Sequence, residues 1–237
     1  MRVHLQREID KLKKQILTLS AEVEDNVRAA VRSVEERDAA LAHTVIKRDS
    51  DTNMKEVDVE EECLKILALH QPVASDLRYI VAVLKINHDL ERIGDLAAHI
   101  AERSLFLCSH PPLEEFFQLG IMADKAQQML RKVLNAFVNV DECAAREVWR
   151  SDNEIDDMNH EIFKLVKEAI VQNPGLLEVL LQIMHIARHL ERIADHATNI
   201  AEDLIYLIEG KIVRHQPAAE IGERAESNLG LHVNQSM

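Results

Sequence analysis

The sequence predicts an all-α protein made of two tandem antiparallel three-helix bundles, and three observations carry that prediction. Aromatic residues make up 3% of the chain against 47% hydrophobic, so Leu, Ile, Val, Ala and Met at helical spacing must fill the core. Glycine and proline act as punctuation: Pro72, Pro111–Pro112, Pro174–Gly175 and Gly210 fall where one periodic segment gives way to the next. One stretch is also written twice, LERIGDLAAHIAE at Leu90–Glu102 returning as LERIADHATNIAE at Leu190–Glu202, which marks an internal repeat.

The elements follow in order. A first helix over 2–36 carries Leu5, Ile9, Leu12, Ile16, Leu19 and Val23 at spacings of three and four, the seam of a bundle with shallow crossing angles. Asp38 is placed to cap a second helix, 38–71. Pro72 turns the chain into a third, 74–107, whose stripe is Val83, Ile86, Leu90, Ile93, Ala97 and Ile100. A fourth spans 112–139, with Met122, Ala126, Met129, Val133 and Val140 on its seam, and Asp141 caps a fifth over 141–172. The sixth, 175–209, repeats the third helix in phase with Ile183, Ile186, Leu190, Ile193, Ala197 and Ile200. Residues 1–109 are therefore expected to form the first bundle and 110–209 the second. The polar, aperiodic stretch 210–237 reads as a flexible tail.

Charge and motifs remove several function classes. A net charge of −13 argues against a nucleic-acid partner, since phosphate binding needs clustered Lys and Arg. Cys63, Cys108 and Cys143 are scattered and odd in number, without a CxxC or zinc spacing, which suits a reducing cytoplasm. The start, MRVHLQREIDKLKKQ, lacks the apolar core of a signal peptide. No run approaches the roughly 20 apolar residues of a membrane span. The expected place is the cytoplasm, with a membrane reached only by docking onto partners. No P-loop, nucleophile elbow or glycine-rich phosphate cradle is present, which favours binding over turnover.

The repeat carries a carboxylate pattern. Glu91, Asp95, His99 and Glu102 share the helix face opposite the apolar stripe, as do Glu191, Asp195, Asn199 and Glu202. In an antiparallel hairpin, residues equidistant from the turn lie level with each other. By that rule Asp49 faces Asp95 and Asn53 faces Glu91 about Pro72, while Asp152 faces Asp195 and Asp156 faces Glu191 about Asn173–Pro174. Carboxylates facing each other repel unless a cation or a basic side chain intervenes. Two readings stand: an outward-facing, oxygen-rich cation site suited to Mg, Mn, Fe or Zn, or a solvated acidic face paired with Arg48, Arg92, Arg150 and Arg192. The Glu-x-x-His pattern of a di-iron core is absent.

ERIGD and ERIAD, each followed by His/Asn-x-Ile-Ala-Glu, together with Gln71-Pro-Val-Ala-Ser-Asp-Leu-Arg78 at the first hairpin, resemble the PhoU family of phosphate-transport regulators over roughly residues 2–209. The resemblance implies paired E(D)xxxD motifs holding multinuclear iron or zinc in some members, carried here by Asp49, Glu91 and Asp95 and by Asp152, Asp156, Glu191 and Asp195. His99 and Asn199 follow one turn on as further candidate ligands. Asn53 stands where the second copy has Asp156, so the first site is expected to be the weaker. The resemblance further implies a regulator linking the ATPase of a phosphate ABC transporter to a sensor histidine kinase, repressing phosphate-starvation genes and restraining uptake, and a homodimer is the expected assembly. A metal-dependent enzyme and a purely structural scaffold are the alternatives. Among smaller features, His185, His189 and His196 are expected on a surface or interface flank and Trp149 in packing. Leu84 and Met184, apolar on the outward side, are expected at a dimer or partner contact.

Overall fold

The computed structural model describes residues 2–113 and 118–212, leaving aside the side chains of Arg2, Val3 and Asp152. The chain runs α1 (Arg2–Glu35), α2 (Ala39–His70), α3 (Ala74–Cys108), α4 (Leu119–Asn139), α5 (Glu142–Arg150), α6 (Asp152–Gln172), a 3-10 turn (Pro174–Leu176) and α7 (Leu177–Glu209). The first three helices form one bundle; α4, α7 and the α5–α6 pair form the other. Asp38 and Asp141 cap as expected, their carboxylates accepting from the Leu41 and Ala144 backbone N–H groups at 2.9 and 3.1 Å. Gln71 ends α2 in the left-handed region, which lets Pro72 redirect the chain.

The expected helix 141–172 is broken in two. Ser151 sits at φ −90°, ψ 0°, and its hydroxyl donates to the Val148 carbonyl at 2.8 Å. That side-chain bond competes with the helical ladder, and Ser, Asp and Asn in succession favour a cap over a helix interior. The expected start of the fourth helix at 112 is also corrected. Gln118 has φ 57°, which no helical residue adopts, so α4 begins at Leu119. Val140 leaves the seam for the same reason: at φ 54° it closes α4 and is 52% exposed. The expected tail lies outside the described residues beyond Ile212.

One continuous core runs through both bundles. Ile93 and Ile193 are fully buried at its centre, and truncating either to Ala would cost about 2–5 kcal/mol. The most extensive helix pair is α3 with α7, so the third helices of the two repeats face each other. Lys85 Nζ reaches Asp203 Oδ1 at 2.9 Å, Asp89 Oδ1 meets His196 Nδ1 at 2.8 Å, and Arg103 donates to Gln182 at 3.4 Å. Residue numbers fall on one helix as they rise on the other, so the pairing is antiparallel. It is centred level with Gly94 and Ala194, which are equivalent positions, and the repeats are thus related by an approximate two-fold. Leu84 and Met184 pack half-buried against the core, because the outward side of each third helix meets the other bundle.

Candidate functional site

Each carboxylate cluster sits in the groove of a hairpin. In the first copy α2 approaches α3 closely at Gly94, where an added Cβ would lie 3.5 Å from Thr52 Cγ2 and 4.0 Å from Asp49 Oδ1. Asp49, Asn53, Glu91 and Asp95 meet there. Asn53 donates to Asp49 Oδ2 at 3.3 Å, and the register is confirmed one turn on, where Asn87 donates to the Glu56 carboxylate at 2.9 Å. Burial, then the neighbouring Asp95 charge, raises both Asp49 and Glu91 above the ordinary carboxylate range.

Three oxygens in this groove are buried without a hydrogen-bond partner among the described residues: Asp49 Oδ1, Asn53 Oδ1 and Glu91 Oε2. Arg92 Nε lies 3.4 Å from Glu91 Oε2 but not in hydrogen-bonding alignment. Buried polar atoms are nearly always satisfied, so three unpaired acceptors in one groove make a donor set that fits a hard or borderline cation.

The second copy brings its acids closer. Single oxygens of Asp156, Glu191 and Asp195 lie within 4.8 Å of one another, the one such group of three among the described residues. Glu191 is only 8% exposed and accepts from Arg188 one turn back. This corrects the expectation that Glu191 faces outward, because the helix wheel is blind to the neighbouring helix that covers it; Asp156 and Asp195 keep more exposure. Asp152 opens α6 directly after the break at Ser151; its side chain lies outside the described residues.

His99 and Asn199 are engaged elsewhere. His99 stacks on His189 with ring centroids 5.4 Å apart, although it stays close enough to Asp49 to favour that carboxylate's charged form. Asn199 reaches Asp89 on α3 at 3.5 Å. His189 lies at the seam between the bundles, with both ring nitrogens buried and unpartnered among the described residues. Burial, then the neighbouring His99 and Arg103, pushes it down to about 4. His185 stacks on it as well, with ring centroids 6.5 Å apart, so the histidines expected on a flank belong to the interface between repeats. Trp149 is packed and donates to Glu202 at 3.2 Å, tying α5 to α7 beside the second cluster.

The PhoU domain profile matches the chain twice, over residues 16–104 and 119–204. The phosphate-specific transport system accessory protein PhoU homolog of Aquifex aeolicus is 36% identical over 92% of this chain and 98% of its own length. The crystal structure of PhoU from Pseudomonas aeruginosa superposes with a TM-score of 0.85 at 34% identity, covering 87% of this chain and 99% of that one. The phosphate transport system regulatory protein PhoU from Streptococcus pneumoniae gives 0.78 at 31% identity, covering 88% and 99%. With its duplicated bundle, its paired clusters and a family match in each half, the chain belongs to the PhoU family.

Proposed function

We propose that this chain is a cytoplasmic regulator of phosphate homeostasis that acts by binding rather than turnover. It couples the ATPase of a phosphate ABC transporter to a sensor histidine kinase, restraining uptake and repressing starvation genes when phosphate is plentiful. The observation that carries this reading is family membership across both repeats, since the relatives are named as accessory or regulatory proteins of phosphate transport. Among the described residues no helix is long and apolar enough to cross a membrane, so contact with membrane partners is by docking. The working unit in this reading is a homodimer.

Metal ions belong to the proposal as structural ligands. Asp49, Asn53, Glu91 and Asp95 would hold one group and Asp156, Glu191 and Asp195 the other, with Asp152 joining from the start of α6. Iron or zinc, otherwise magnesium or manganese, would supply positive charge to acids that otherwise repel across each hairpin. Deleting the gene is expected to switch on phosphate-starvation transcription in phosphate-rich medium. Unchanged transcription and unchanged phosphate uptake in the deletion strain would overturn the regulatory reading.

A further inference from the structure

Beyond the second carboxylate cluster, towards the hairpin turn, α6 and α7 enclose a groove of about 560 Å³ lined by Asn159, Phe163, Lys164, Lys167, Glu168 and Arg188, with His160 beside them. Its volume lies in the range of small-molecule sites. It gathers three fixed cations in a chain whose net charge is −13.

The internal repeat serves as a control for this groove. Counting from the matched pairs Asp49/Asp152 and Asn53/Asp156, the positions equivalent to Phe163, Lys164 and Lys167 are Glu60, Glu61 and Leu64. Arg188 stands opposite His88, and Asn159 opposite Glu56. Glu168 stands opposite Lys65, so both faces carry both signs, but the balance shifts from acidic in the first copy to basic in the second. In the first copy Asn87 satisfies Glu56, donating to both its backbone oxygen (3.0 Å) and its carboxylate (2.9 Å). The equivalent of that donor in the second copy is Ala187. Asn159, only 6% exposed, is left with Oδ1 buried and unpartnered among the described residues.

The lining thus mixes strong donors with acceptors. Lys164, Lys167 and Arg188 supply positive N–H groups, whereas Asn159 Oδ1 and the Glu168 carboxylate accept. A fully deprotonated oxyanion would meet the cations but repel both acceptors. An oxyanion that keeps one proton meets both kinds of group, its single P–OH donating to one of the acceptors and its bare oxygens accepting from the cations. Free phosphate keeps at least one proton near neutral pH, and a phosphomonoester, with a second pKa near 6, keeps one in about a tenth of its molecules at pH 7; sulfate keeps none.

We propose that this groove is a binding site for a monoprotonated phosphate group, either free phosphate or the phosphoryl end of a small phosphomonoester whose organic part lies along Phe163. The inference goes beyond the regulatory reading and does not rest on it, since a regulator need not bind phosphate itself.

The test is isothermal titration of the full chain with inorganic phosphate, with adenosine monophosphate and with sulfate at equal ionic strength. Saturable binding of phosphate or of the monoester is expected, with sulfate weaker by about tenfold or more. Tighter binding of phosphate would assign the site to the free anion, and tighter binding of the nucleotide to a phosphomonoester. Lys164 and Lys167 are exposed, so Lys164→Gln and Lys167→Gln are expected to fold and to weaken binding by about tenfold together. Asn159→Leu, of similar size, is expected to bring phosphate down towards sulfate. Absence of saturable binding, equal binding of sulfate and phosphate, or lysine variants that bind as the parent does would each overturn the proposal. Transcription in the deletion strain reads the regulatory role separately.

Discussion

Replacing Asp156 by Asn would give the second cluster the amide that the first copy carries at position 53. One carboxylate oxygen each of Asp156, Glu191 and Asp195 lies within 4.8 Å of the other two. At that separation each like-charge pair costs about 0.9 kcal/mol in water and about 3.5 kcal/mol at an effective dielectric near 20. Asp156→Asn removes two of the three pairs. Arg188 already offsets part of the Glu191 charge and solvent screens Asp156, so the net gain should be near the lower limit, about 1–2 kcal/mol. For a chain of this size that raises Tm by roughly 2–8 °C in chelator. With divalent metal the order should reverse, because a cation at a hundred times its Kd stabilises the parent by about 2.7 kcal/mol and the variant has lost a ligand. Thermal melts of both proteins in EDTA and in manganese or zinc would show the crossing. A variant that melts below the parent in EDTA, or that gains as much from metal, would refute the reasoning.

Three further outcomes follow from the same structure. Asp38→Ala and Asp141→Ala each remove a helix cap and should cost about 1 kcal/mol in urea unfolding, additively because the caps are far apart. Thiol titration of the folded protein should modify the exposed Cys143 first and spare Cys63, whose buried thiol is pushed up to about 12. Burial alone would raise Glu62, but hydrogen bonds from Lys11 and Lys65 bring it down to about 2. Its contribution is therefore present above the ordinary value of 4.5 and is lost as pH falls from there towards 2. Glu62→Gln should lower stability at neutral pH and flatten the acid limb of a pH–Tm curve.

The helices and the duplication were legible because an apolar period of three and four survives in the one-dimensional pattern, as Val83–Ile100 and Ile183–Ile200 show. The two aspartate caps were legible for a similarly local reason. The break at Ser151 was not, since the apolar phase continues from Trp149 to Ile155 across it, while the ladder gives way to bonds from the Ser151 backbone N–H and hydroxyl to the Val148 carbonyl. Glu191 was read as outward because a helix wheel is blind to the neighbouring helix that covers it. Alignment across the hairpins did place Asp49 with Asp95 and Asp156 with Glu191, and the structure keeps both pairings. The basic groove escaped notice because Lys164 and Lys167 look like ordinary surface lysines. Comparing each with its counterpart in the first repeat, Glu61 and Leu64, was the signal that could have found it.

Arg188 belongs to two neighbourhoods at once, bonded to Glu191 in the carboxylate cluster and lining the groove beside it. A cation that draws Glu191 towards itself loosens its hold on the guanidinium, which then faces the groove with its charge less neutralised. An anion that takes the guanidinium likewise leaves Glu191 more negative and more receptive to a cation. Thermodynamic linkage makes these effects equal in size. One arginine would then let this half of the molecule respond to a cation and an anion together more strongly than to either alone, whereas in the first repeat His88 takes its place beside Glu91.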